Sequence, residues 1–234
     1  EDFSSITVIS SNLTLPTNNT HYGTSISWSS SDTNIVSNTG VYTKPYNDTS
    51  ISLTATISLN GESSVKEYIF DVDGYYKDLS KGIIAEYLYT SISSTSDYTF
   101  ENANLLFVAF GTASATGTIS NASSIGSTIT NYVITKAHNN GAYIVLSING
   151  ATNLSTIAAS SSLRTTFANN IVSFINTYGI DGIDIDWEFP TSEEKGNFTL
   201  LMQEIYTQVK TNNAHHLVTA ATGIDSYPRY DFAN

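Results

Sequence analysis

Three carboxylates stand at alternate positions in the stretch Asp181-Gly182-Ile183-Asp184-Ile185-Asp186-Trp187-Glu188-Phe189-Pro190. A strand sends successive side chains to opposite faces, so Asp184, Asp186 and Glu188 share one face, about 6.5–7 Å apart along the chain. Ile183, Ile185 and Trp187 take the other face and suit burial against covering helices. Three negative charges this close repel, which favours holding at least one proton among them at neutral pH. Folding alone would place valine or leucine there; local rules broken in this way concentrate at functional sites. The chemistry that fits is a general acid, Glu188, with Asp186 behind it to orient a substrate group. Asp184 lies deeper and would share a proton with Asp186. Two other readings use the same residues: a solvated strand face, and a divalent-metal site of three carboxylates. Helical segments on both sides of the strand weigh against the first, because they indicate a doubly covered parallel sheet. No histidine or further carboxylate cluster completes a coordination shell for the second.

The elements that must position this row begin at Lys81, where apolar strands alternate with amphipathic helices. Ile83–Tyr89, Leu105–Phe110 and Tyr143–Ile148 read as strands, the acidic stretch as a fourth and Leu217–Ala221 as a fifth. Between them Ile125, Ile129, Tyr132, Val133 and Ala137 keep helical spacing, as do Leu163, Phe167, Ile171, Phe174, Ile175 and Tyr178. Phe198, Leu201, Ile205 and Val209 form a third such stripe, and Thr191 and Glu194 ahead of it have capping-box spacing. Strand and helix in repetition imply a parallel sheet with right-handed crossovers.

Residues 1–73 differ in texture. Short alternating runs, Ile6–Ile9, Ser25–Ser29, Ile51–Leu59 and Val65–Val72 among them, are separated by turn residues such as Asn60-Gly61. They predict an all-β antiparallel sandwich, with 74–81 as a linker and 82–234 as the α/β unit.

The Asp-Gly-x-Asp-x-Asp-x-Glu pattern of Asp181, Gly182, Asp184, Asp186 and Glu188 resembles the signature of glycoside hydrolase family 18, the chitinases and their relatives. Val108-Ala109-Phe110 resembles the family's second strand. Leu146-Ser147-Ile148-Asn149-Gly150 resembles its Ser-x-Gly-Gly motif, with Asn149 in place of the first glycine. Ile26–Asp32 and Gly40–Pro45 resemble bacterial immunoglobulin-like modules attached to extracellular glycosidases. The resemblance implies a (β/α)8 barrel with its site at the C-terminal ends of the strands. It also implies retaining hydrolysis of β-1,4-linked N-acetylglucosamine polymers, foremost chitin, with no cofactor and no metal. In that scheme the substrate's own 2-acetamido oxygen replaces an enzymic nucleophile. Glu188 is then acid and later base, Asp186 holds the acetamido N–H, and Asp184 modulates Asp186. Asp181, Gly182 and Ser147 are structural parts of the motif. Tyr87, Phe110 and Trp187 are the candidate substrate-binding aromatics, core packing being the alternative for the first two and the helix-side register for the third. Within the same chemistry an endo-β-N-acetylglucosaminidase acting on N-glycan cores is the runner-up; the presence of Glu188 weighs against the sugar-binding relatives that lost the acid, and an incomplete barrel leaves an inactive carbohydrate-binding fragment as the other class.

A closed barrel takes about 250 residues, and only five strands are recognisable after Lys81. The sequence therefore predicts a barrel interrupted after its fifth strand, with the remainder of the barrel as a required partner. Composition narrows the other partners. A net charge of −12 with nine Lys+Arg speaks against nucleic acid. No run of about 18 apolar residues exists to span a membrane. With no cysteine, thiolate chemistry is out of reach. An extracellular or cell-surface location is expected from the resemblance. Asn-x-Ser/Thr triplets such as Asn12-Leu13-Thr14 and Asn197-Phe198-Thr199 are what chance supplies in a chain this rich in those residues.

Overall fold

The computed structural model describes residues 6–89, 99–223 and 229–230. The chain folds as two compact units, Glu1–Gly82 and Ile83–Asn234.

The first unit carries β1 (Val8–Ile9), β2 (Asn18–Asn19), β3 (Thr24–Ser30), β4 (Thr49–Leu59) and β5 (Glu62–Val72) in one sheet of order β1-β5-β4-β3-β2. Its backbone is the hairpin of β4 and β5, eleven residues each and in register from Thr49↔Val72 to Leu59↔Glu62. The two-residue loop Asn60-Gly61 has φ of 50° and 90°, the left-handed pair that a tight hairpin turn needs and that Asn-Gly supplies at least cost. The sheet is mixed, not purely antiparallel as expected, because β1 runs parallel to β5 through Val8↔Asp71 and Ile9↔Val72. Ile9, Val36, Ile51, Leu53, Phe70 and Val72 form the core, closed over by Leu13, Leu15, Ile35 and Tyr42. Those covering segments do not build a second ladder; Val36 and Tyr42 pair only as an isolated bridge. Trp28 packs on this core and its indole N–H donates to the Pro16 carbonyl at 2.9 Å. Residues 74–81, read above as a linker, are tied to this unit by the Asn47–Tyr76 bridge and the Tyr46–Tyr76 ring contact.

The second unit contains β6 (Ala85–Tyr89), β7 (Leu105–Thr112), α1 (Ala122–Thr128), α2 (Ile134–Asn139), β8 (Tyr143–Asn149), α3 (Ala151–Ala159), α4 (Ser161–Tyr178), β9 (Gly182–Ile185), α5 (Lys195–Asn212) and β10 (Leu217–Ala220). The strands form one five-stranded sheet in sequential order, every pair parallel. This is a half-barrel sheet, the parallel sheet that the alternation of elements implies and part of the (β/α)8 fold that the resemblance implies.

The sheet has two faces of different character. Leu88, Val108, Leu146, Ile183 and Val218 form one cross-strand row and join the core packed beneath the helices. Tyr89, Ala109, Ser147, Asp184 and Thr219 form the next row, on the opposite face. Period two thus separates an apolar face from the face that carries the acids.

Helices follow the predicted stripes with three departures. The first stripe is not one α-helix: Ile129–Val133 is a π-turn joining α1 to α2, and Tyr132 stays exposed while Ile125, Ile129, Val133 and Ala137 are buried. α3 has no counterpart in the sequence reading, since nine residues rich in Thr, Ser and Asn carry a weak pattern, yet Leu154, Ile157 and Ala158 are buried. α5 begins at Lys195, and only one half of the capping box forms: the Thr191 N–H donates to Glu194 Oε2 at 2.8 Å. Among the described residues no helix is long and apolar enough to cross a membrane.

Candidate active site

The acidic stretch is a shorter strand than its alternation suggested. β9 stops at Ile185; Asp186 still donates its N–H to the Ile148 carbonyl at 2.9 Å, and Ala221 to Ile185 at 3.1 Å. Beyond that point β8 turns into α3 at Gly150 and β10 has ended, so neither neighbour offers a ladder to Trp187 or Glu188. The alternation of faces nevertheless persists past the strand. Ile183, Ile185 and Trp187 are buried, Trp187 being 1% exposed and edge-on to Phe198 of α5 at 5.9 Å. Asp184 is buried, Asp186 half-buried and Glu188 exposed, a gradient running outward from the C-terminal end of the strand.

Burial and charge both act on the row. Burial pushes the Asp184 carboxyl above its ordinary value, opposed by hydrogen bonds from Ser147 and Thr219. Burial likewise pushes Asp186 up, followed by the like charges of Glu188 and then Asp184. The Tyr87 phenol is pushed up by burial and then by Asp184, Asp186 and Glu188 together. The phenol on β6 thus feels all three acids. Tyr87 is 50% exposed and stacks on Phe107 at 4.7 Å, so its ring lies over the sheet with its edge free.

Asp184 is bound across the sheet instead of along its own strand. Ser147 Oγ donates to Asp184 Oδ2 at 2.7 Å, and Thr219 Oγ1 donates to Asp184 Oδ1 at 2.8 Å. All three residues sit at paired register positions on β8, β9 and β10. Each Asp184 oxygen accepts one hydroxyl, and among the described residues no hydrogen bond joins Asp184 to Asp186. Ser147 was legible from its motif. Thr219 was not: a lone threonine in an apolar strand carries no signal until its register is known.

Asp181 and Gly182 secure the other end of β9. The Asp181 carboxylate, buried, accepts the Ile144 N–H at 2.8 Å and lies 2.9 Å from His138 Nε2, tying β8 and α2 to the strand's start. Gly182 leaves room for the neighbouring backbone: a Cβ there would stand 2.2 Å from the Leu217 carbonyl oxygen.

The candidate aromatics divide. Phe110 is the extra residue of a bulge between Ala109 and Gly111 in β7, half-buried and edge-on to Tyr89 at 6.1 Å. Tyr89, missed in the sequence, belongs to the same row as Asp184 and is 63% exposed. Trp187 is a correction. As a substrate contact it would have to face Asp184, but odd-numbered residues of this strand point into the helix-side core. In the stretch that resembles the Ser-x-Gly-Gly motif, Asn149 stays in β8 and the positive φ, 116°, belongs to Gly150.

After Glu188 the chain is gripped by α3 and by a cation. The peptide bonds Ala109–Phe110 and Glu188–Phe189 are both cis. Glu194 accepts a short hydrogen bond from Ser155 Oγ as well as the Thr191 N–H, and both bonds hold its carboxyl below the usual value. Arg229 lies over the Phe189 ring at 5.6 Å, and the two line an open depression with Pro190, Thr191 and Ser192. Among the described residues no three His, Cys, Asp or Glu side chains gather to hold a metal ion.

Known proteins resemble this chain in sequence and in fold. The family model for glycosyl hydrolases family 18 matches residues 74–231, and that for the atrophied bacterial Ig domain matches residues 2–74. Chitinase 1 of Aphanocladium album is 36% identical over 110 residues, and Chitinase A1 of Niallia circulans 34% over 96. These alignments take in 42% and 34% of this chain but only 26% and 14% of the two relatives. The chitinase-like agglutinin RobpsCRA from Robinia pseudoacacia superposes with a TM-score of 0.52 at 26% identity, covering 59% of this chain and 46% of that one. The Ostrinia furnacalis Group IV chitinase gives 0.54 at 20% identity, over 64% of this chain and 47% of its own. By sequence and by fold, then, the chain belongs to glycosyl hydrolase family 18, preceded by an immunoglobulin-like module of the atrophied bacterial type.

Proposed function

We propose that this chain supplies the acidic half of a retaining glycosidase that cleaves β-1,4-linked N-acetylglucosamine polymers such as chitin, through the substrate's own 2-acetamido group. The observation that carries the reading is the row of Asp184, Asp186 and Glu188 on one sheet face, rising from buried to exposed beside the Tyr87 phenol. Glu188, the outermost, protonates the glycosidic oxygen as the acetamido oxygen bonds to the anomeric carbon and the linkage breaks. Asp186 accepts the acetamido N–H and offsets the positive charge that grows on the ring. Water then gives a proton to Glu188 as its oxygen bonds to the anomeric carbon, and the bond from that carbon to the acetamido oxygen breaks, restoring the acetamido group and the Glu188 acid. No step calls for a cofactor. Supporting the substrate class are the chitinases of Aphanocladium album and Niallia circulans, each similar to part of this chain. An endo-acting enzyme on N-glycan cores would use the same residues. An extracellular or cell-surface location goes with the module order, an immunoglobulin-like spacer ahead of a polysaccharide hydrolase.

Turnover of a fluorogenic chitobioside by the protein carrying this chain, lost by at least about a thousandfold in Glu188→Gln, is the expected result. Unchanged turnover in that variant would remove Glu188 from the chemistry. A second reading is sugar binding without hydrolysis, favoured by the likeness to a chitinase-like agglutinin. Saturable binding of N-acetylglucosamine oligomers with no cleavage product would select it.

A further inference from the structure

We propose that Ser155 and Glu194 are positioning residues for the acid: the hydrogen bond between them fastens the loop behind Glu188 to α3, and so fixes where the Glu188 carboxyl stands over a sugar linkage. The proposal deepens the glycosidase reading and rests on it.

Glu188 and Phe189 are an exposed pair between two buried residues, Trp187 and Pro190. On the near side Trp187 is held edge-on by Phe198 of α5 at 5.9 Å. On the far side Glu194 holds Thr191 at both of its backbone groups. The Thr191 N–H donates to Glu194 Oε2 at 2.8 Å, and the Glu194 N–H donates to the Thr191 carbonyl at 3.1 Å. Those two bonds close the turn only on itself. The other oxygen of Glu194 carries the tie outward, accepting Ser155 Oγ of α3.

α3 is a firm place to tie to. Leu154, Ile157 and Ala158, on either side of Ser155, are fully buried. The helix also holds neighbouring loops at the same ends of the strands. It begins directly after β8, and Asn153 Nδ2 donates to the carbonyl of Ala113, just past β7, at 2.8 Å. The Ala113 N–H in turn donates to the Asn149 carbonyl at the end of β8, at 3.0 Å. α3 thus joins the segments leaving β7, β8 and β9, the loops on which a barrel of this kind places its chemistry. The joint to the third is charged: Ser155, and then the Thr191 N–H, hold the Glu194 carboxyl below the usual carboxylate range. A bond to an ionised acceptor is about twice as strong as a neutral one. Cutting it leaves Glu188 on a span fastened at one end, and a misplacement of about 1 Å costs about a hundredfold in rate.

The test compares leaving groups in the protein carrying this chain. Ser155→Ala removes the donor without weakening α3, since alanine is the better helix former. An N-acetylglucosamine tetramer needs its departing sugar protonated, and its kcat/KM falls about ten- to a hundredfold in Ser155→Ala. A dinitrophenyl chitobioside releases a stable anion unaided, and its kcat/KM changes by less than about threefold. Ser155→Thr, which restores a hydroxyl, returns the tetramer rate to within about threefold of the parent. Glu194→Gln, with one acceptor oxygen for two donors, shows the same selectivity as Ser155→Ala. Without any substrate, the Glu194 carboxyl carbon followed by NMR titrates closer to the ordinary carboxylate range in Ser155→Ala. Equal losses with both leaving groups, or an undiminished tetramer rate in Ser155→Ala, overturn the positioning role, and so does an unmoved Glu194 midpoint. A parent protein that cleaves neither substrate while the Glu194 midpoint moves removes the glycosidase reading, and the positioning role goes with it although the bond is present.

Discussion

Replacing Gly182 by alanine tests whether the β9–β10 contact is as tight as the geometry requires. The added Cβ would lie 2.2 Å from the Leu217 carbonyl oxygen, 2.7 Å from its nitrogen and 2.8 Å from its carbonyl carbon. The first distance is more than 1 Å short of the 3.4 Å at which ordinary contact begins, and every atom met is backbone. No rotamer change relieves it, so β10 has to move away from β9. A lateral shift of about 1 Å carries the Leu217 N–H to Asp181 O bond, now 2.8 Å, past hydrogen-bonding range, and the Thr219–Asp184 bond with it. Overpacking of this kind costs about 1–3 kcal/mol, and each lost hydrogen bond about 1 kcal/mol more. A total of about 3–5 kcal/mol corresponds to a fall in urea midpoint of about 1.5–2.5 M for an m of about 2 kcal/mol/M. The two tryptophans make the assay selective, since Trp28 lies in the first unit and Trp187 in the second. With Trp28→Phe as background, Trp187 fluorescence reports the second unit alone. A midpoint lowered by less than about 0.3 M in Gly182→Ala would show that the strands part at little cost, and would refute the argument.

Asp186→Asn raises the urea midpoint of the second unit at neutral pH. Burial and the neighbouring acids lift the Asp186 pKa in the folded state, so its stabilising contribution is complete below the unfolded value and is lost as pH climbs through the folded one. The advantage of the asparagine therefore disappears below about pH 4, and a midpoint difference independent of pH would contradict the sign. Asp181→Ala leaves the buried Ile144 N–H without its carboxylate acceptor and removes the Asp181–His138 contact, at a cost of about 1–3 kcal/mol read by the same fluorescence; a neutral outcome would mean that water has taken the carboxylate's place.

Much of the chain was legible beforehand, and the reasons are local. Period two separates Ile183, Ile185 and Trp187 from Asp184, Asp186 and Glu188 because each residue turns the next by half a cycle, whatever surrounds it. Spacing of three and four marked Phe167, Ile171, Phe174 and Ile175 on α4 and Phe198, Leu201, Ile205 and Val209 on α5, all of them buried. Asn60-Gly61 announced its hairpin through backbone freedom alone. Where local pattern was thin, as in α3, or overridden by the ends of neighbouring strands, as past Ile185, the reading missed.

Register is a different kind of information. Ser147 and Thr219 reach Asp184 from 37 and 35 residues away, and no periodicity in the chain states which residue of one strand will sit beside which of another. That alignment is settled when apolar rows such as Leu88, Val108, Leu146 and Ile183 are buried together beneath the helices, because a slip by one residue would turn each acid into the core. The sequence alone determined that there would be an acidic face; only packing decided which hydroxyls hold its innermost member, and in which direction.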